Sequence, residues 1–130
     1  MDRSEEIWES SILPSLSDFI GIKALSPLFE PNWAEMGELD ATIELFCQWL
    51  DDQGIEGMSY EKHRIGELSP VLIVTIEGTG PGEVIFYSHL DKQPSKPELW
   101  SEGLHPLKAV RRDPWLYGRG SVDDGYGGYL

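Results

Sequence analysis

Val84-Ile85-Phe86-Tyr87-Ser88-His89-Leu90-Asp91 is the stretch on which the fold turns. Four apolar, β-favouring residues in a row describe a short strand buried on both faces, as inside a parallel or mixed sheet. The chain then runs straight into a histidine and an acid. In open α/β sheets, sites form just outside the carboxyl ends of strands. His89 and Asp91 are two apart, so an extended chain points them to the same side. An imidazole is a good zinc ligand, and a nearby carboxylate orients it and raises its basicity. Taken alone, the pair also fits a surface salt bridge or a satisfied core histidine.

Upstream, Val71-Leu72-Ile73-Val74-Thr75-Ile76 reads as another strand covered on both faces, bounded by Pro70 and Gly78. Met58 to Ile65 reads as a polar strand. Before it the period changes to that of a helix. Leu39, Ile43, Phe46 and Leu50 line one face of a helix from Glu38 to Gln53, with Gly54 as its stop. Cys47 lies on the apolar side of that helix and reads as core. From about Ser4 to Ala24, Trp8, Ile12, Leu16, Phe19 and Ile20 recur at helical spacing. Pro14 falls within this pattern and should kink or split it.

Downstream, residues 92–114 hold four prolines and little periodicity, so they read as a long loop of the kind that is usually functional. Trp115-Leu116-Tyr117 reads as a short strand. It leads into Gly118-Arg119-Gly120-Ser121-Val122-Asp123-Asp124-Gly125. Two acids amid glycines form either an ordinary turn or a loop whose backbone passes close to a bound ion. A carboxylate in such a loop can bridge two cations. The segment is neither a dinucleotide fingerprint nor a P-loop, because the required Gly and Gly-Lys-Ser/Thr do not follow. His63 and His105 read as solvent-facing.

Composition narrows the classes. The chain has 130 residues, 23 acids and 10 bases, for a net charge of −13. That excludes the basic footprint of a nucleic-acid binder and of a polybasic membrane-surface module. No apolar run approaches the roughly 18 residues of a membrane span, and the start lacks the pattern of a signal peptide. A single cysteine rules out an internal disulfide. The expectation is a soluble, cytoplasmic protein of one domain. Residues 1–60 hold 13 acids and 2 bases. That excess reads as a solvated helix face, or as a surface that attracts cations.

Joined together, the two clusters are far more specific. An apolar strand, Ser-His-Leu-Asp-Lys-Gln-Pro, a loop with Trp100 and Pro106, then Leu-Tyr-Gly-Arg-Gly-Ser-Val-Asp-Asp-Gly resembles the co-catalytic zinc exopeptidases. This is metallopeptidase family twenty, with aminoacylase, carnosinase, succinyl-diaminopimelate desuccinylase and glutamate carboxypeptidase. Tyr87 to Gly125 carries most of the likeness, and the details look most like the dipeptidase branch. Ser88 stands where relatives often have glycine, and Gly125-Tyr126 where many have Lys-Gly.

The resemblance implies an α/β fold, the amino-terminal part of a catalytic domain, with a buried mixed or parallel sheet and flanking helices. It implies His89 and Asp123 as metal ligands, with Asp123 bridging two Zn2+ ions (Co2+ or Mn2+ as substitutes). Asp91 would stand behind His89 as the catalytic carboxylate of the pair. Asp124 would follow Asp123 through a peptide bond that is cis in the family. Two metals about 3.5–4 Å apart would activate a water for attack on an amide carbonyl. The substrate would be a peptide or N-acyl amino acid. Residues 1–130 would be one portion of that domain. A Glu-Glu pair, a further acid, a distal histidine and a dimerisation domain would lie downstream, in a homodimeric parent. The alternative is a non-catalytic remnant or interaction module that keeps the fold. A third reading is a generic cation site without hydrolysis. Reading past Leu130 for the Glu-Glu pair separates the first two.

Overall fold

The computed structural model describes residues 2–122 and residue 125. The amino-terminal helix begins at a capping box. Asp2 accepts from the amides of Ser4 and Glu5, and Glu5 accepts from the amide of Asp2. Helix α1 (Arg3–Ile7) passes through a π-helical turn, Trp8–Ile12, into α2 (Leu13–Gly21). Pro14, in the first turn of α2, explains the wide turn. It has no N–H to give to the carbonyl of Ser10, and its ring crowds that carbonyl. The helix widens instead, and the Leu13 amide reaches back five residues to Trp8. The expected disturbance is therefore a π turn. It leaves Ser11 Oγ within 3.0 Å of Trp49 Nε1, joining this helix to α4.

A short α3 (Trp33–Met36) precedes α4 (Glu38–Gln53), which ends at Gly54 as expected. Its buried face is Leu39, Thr42, Ile43, Phe46, Cys47 and Leu50. Leu16, Phe19 and Ile20 of α2 meet Phe46 and Leu50 of α4 to make the core. Fully burying each such side chain contributes about 1.5–3 kcal/mol.

β1 (Met58–His63) and β2 (Val71–Ile76) form an antiparallel hairpin with Tyr60 opposite Val74. Its inner face, with Met58, Tyr60, Leu72 and Val74, packs on the core. The outer face leaves Val71 and Ile73 half exposed. The apolar run of β2 is thus covered on one side, by a single helical layer, and not on both. Polar contacts fix the hairpin to α4. Tyr60 donates to Asp51, Lys62 to Glu44 and Arg64 to Asp40. Alternate residues of the hairpin thereby engage one acidic stripe of α4, so part of the amino-terminal acid is partnered.

β3 (Val110–Arg112) and β4 (Trp115–Tyr117) form a second antiparallel hairpin. β4 was expected and β3 was not. Val84–Tyr87 is not a strand. Its residues take no regular secondary structure and are between 78 % and 89 % exposed. The fold is mixed α/β with small antiparallel sheets. Among the described residues the buried mixed or parallel sheet does not form, and one isolated parallel bridge, Leu25 to Lys92, is the parallel pairing present. No described helix is long and apolar enough to cross a membrane.

Candidate functional site

Two segments meet at the carboxyl end of α2. The first is residues 88–93. Leu90 packs on the core, which turns its neighbours His89 and Asp91 away from it. His89 Nδ1 lies 3.1 Å from Asp91 Oδ1 and 3.0 Å from the Asp91 carbonyl oxygen. Both are acceptors, so Nδ1 carries the proton and donates. In the neutral form of such a ring the lone pair sits on Nε2. The sequence expectation that these two side chains share one side agrees with this geometry.

The second comprises residues 118–122 and residue 125. Gly118 and Gly120 press against the helix end so closely that a Cβ would not fit. At Gly118 it would stand 2.5 Å from Ile20 Cγ2, and at Gly120 2.9 Å from Phe19 Cε1. Gly120 also has φ +90°, which strains any other residue. Ser88 Oγ donates to the Gly125 carbonyl at 3.1 Å. A Cβ on Gly125 would collide with the carbonyl oxygen of His89. The structure therefore brings the histidine segment and the glycine-rich segment together. Asp123, the other expected metal ligand, and Asp124 lie outside the described residues.

Between the segments opens a cleft of about 600 Å³. His89, Asp91, Phe29, Trp100, Arg119 and Ser121 are among its walls. Trp100 comes from the proline-containing loop that the sequence marked as functional. His63 and His105 lie exposed away from this cleft, as expected, and Cys47 is buried in the core.

Lys92 is the residue that sequence reasoning missed. Its relative exposure is 2 %. Nζ donates to the carbonyls of Phe19 at 2.7 Å, Ile22 at 2.6 Å and Ile20 at 3.4 Å. It also lies 4.0 Å from the centroid of the Phe19 ring. The last carbonyls of α2 lack partners within the helix, and a cation there complements the helix dipole. Burial pushes the Lys92 ammonium down to about 8. Arg119 acts in the same direction and Glu38 opposes it. A signal was present in the sequence. The alternation that turns His89 and Asp91 outward turns Leu90 and Lys92 inward.

The donor chemistry offers one candidate metal-ligating nitrogen. His89 supplies a nitrogen whose ring is oriented by a carboxylate, the usual support for a zinc-bound histidine. Among the described residues, no group of three or more His, Cys, Asp or Glu side chains could hold a metal ion. A catalytic zinc usually takes three protein ligands, more than the described residues bring together. Against known proteins, no family model matches the chain and no curated protein matches it.

Proposed function

We propose that the chain carries the histidine end of a two-zinc amide-hydrolase centre of the dipeptidase kind, acting on a peptide or N-acyl amino acid. The observation that carries this reading is the His89–Asp91 pair, 3.1 Å apart at the wall of an open cleft. It is supported by the likeness of Tyr87 to Gly125 to family twenty of the metallopeptidases. Bound zinc would supply Lewis acidity and a water of lowered pKa. His89 would hold one metal through Nε2, and Asp91 would fix the ring and its tautomer. Asp123 would be the bridging ligand. Phe29 and Trp100 offer apolar walls to substrate, and Arg119 offers a positive charge. On this reading the chain is the amino-terminal portion of a catalytic domain from a homodimeric, cytoplasmic enzyme.

The test is zinc binding by isothermal titration. The wild-type chain should bind Zn2+, and His89→Ala should abolish binding. Asp91→Asn should weaken it about 10–100-fold, as for other carboxylates behind metal-bound histidines. Equal affinity in wild type and His89→Ala overturns the assignment. The 130-residue chain itself should not hydrolyse dipeptides at an enzymatic rate, because the reading assigns it two metal ligands, His89 and Asp123, where a catalytic zinc usually has three protein ligands. Robust, chelator-sensitive turnover would show these roles to be wrong. The exposure of Val84–Tyr87 favours a second reading, an interaction module without turnover, which zinc-independent behaviour of all variants would support.

A further inference from the structure

Lys92 lies one residue beyond Asp91 and is engaged on every side. Its side chain ends on three carbonyls at the carboxyl end of α2. Its own amide donates to the Ala24 carbonyl at 2.7 Å, and its carbonyl accepts from the Ser26 amide at 2.9 Å. Ala24 is fully buried at φ +42°, a left-handed conformation that is unfavourable for a residue with a Cβ. Such a conformation persists only where its surroundings over-determine it. The Lys92 amide is one such constraint. Gly120 packs over the same lysine, where a Cβ would stand 3.1 Å from Lys92 Cε. Both segments of the cleft therefore rest on this one side chain.

Surface anchoring does not explain this arrangement. A lysine pays a large desolvation penalty in such a place, and a Leu or Met would fill the space without it. What an apolar side chain would not do is satisfy three carbonyls and fix the height of residues 88–93 above the helix end. We propose that Lys92 is the positioning residue of the cleft: its ammonium, seated on the carbonyls of Phe19, Ile20 and Ile22, holds residues 88–93 in the register that keeps His89 against Asp91 and facing the cleft. Lys92 acts through His89 and Asp91, and touches no reacting group itself.

The experiment is nitrogen-15 NMR of the His89 ring in the whole chain, without metal, in wild type and Lys92→Met. Wild type should show the Nδ1-protonated tautomer. Lys92→Met should keep a dispersed, folded spectrum but average the two tautomers, and Lys92→Arg, which restores the charged donors, should recover the wild-type signature. An unchanged His89 signature in folded Lys92→Met overturns the proposal. If Lys92→Met does not fold, hydrogen exchange on the wild type decides. The amides of Lys92 and Ser26 should then exchange with the same protection as that of Ile22, which closes α2 by donating to the Phe19 carbonyl. Protection at Lys92 and Ser26 roughly tenfold or more below that of Ile22 would show that the Lys92 segment opens without the helix end, and would sink the idea. These readouts are independent of zinc. A chain that binds no zinc yet shows the tautomer change retires the peptidase reading and keeps Lys92. Zinc binding with an unchanged ring does the reverse.

Discussion

Lys92 gives a pH dependence whose sign can be worked out. Its folded value of about 8 lies below its ordinary value of 10.5. Between these limits the unfolded chain binds more protons at this position, so stability rises with pH. Below about pH 8 both states are protonated and the contribution is flat. Wild type should therefore gain on Lys92→Met as pH rises from about 8 to about 10.5, by at most about 1.4 kcal/mol per pH unit. Urea denaturation across that window checks it, and a constant difference would contradict the burial argument. The neutral amine keeps two N–H donors, enough for two of the three carbonyls. Gly120 gives a second prediction. Gly120→Ala forces φ +90° on a residue with a Cβ and drives that atom to 2.9 Å from Phe19 Cε1. It should destabilise by about 1–3 kcal/mol. Gly80→Ala, with open space around it, should stay within about 0.5 kcal/mol. At this scale the sequence made the His89–Asp91 pairing legible, because a period of two is enough to place both on one side. It concealed Lys92, because lysine is so rarely buried that composition argues against reading it inward.

Among the elements, α4 was the most legible. It has a long apolar stripe and a glycine stop, and a single period accounts for both. Phe46→Ala should remove about 3–5 kcal/mol, since its ring is buried in the core and stacked 5.9 Å from that of Trp49. Leu28→Ala, at an exposed side chain, should cost less than about 0.5 kcal/mol. Thermal or urea unfolding of the pair checks the contrast. β2 was legible as a strand but not in its surroundings. An apolar run reports what a strand can bury, and only its neighbours decide what it does bury. Val84–Tyr87 shows the same limit more sharply, having strand chemistry but lying exposed outside any strand. β3 was hidden for the opposite reason. Val110-Arg111-Arg112 has no apolar alternation, and it is a strand only because β4 folds back beside it.

For the whole molecule, the balance is between apolar exposure and charge. Val84, Ile85, Val71, Ile73 and Ile76 are at least half exposed. An exposed apolar stretch promotes association. The net charge of −13 opposes it. Screening shortens to about 10 Å at 0.1 M salt. Raising ionic strength should therefore increase association, as measured by sedimentation velocity. Val84→Lys with Ile85→Lys should suppress that increase and leave the unfolding midpoint within a few degrees of wild type. Persistent association in the double variant would locate the sticky surface elsewhere.

The burial of Lys92 also makes it a reporter. The chain has five lysines, and an amine-reactive acylating reagent meets them in order of access. Lys92, at 2 % exposure, should be the last to be acylated. Its modification requires the cleft segments to lift from the helix end. Mass spectrometry of the time course would then read the Lys92 peptide as a clock for that separation, while the other four lysines report the reagent.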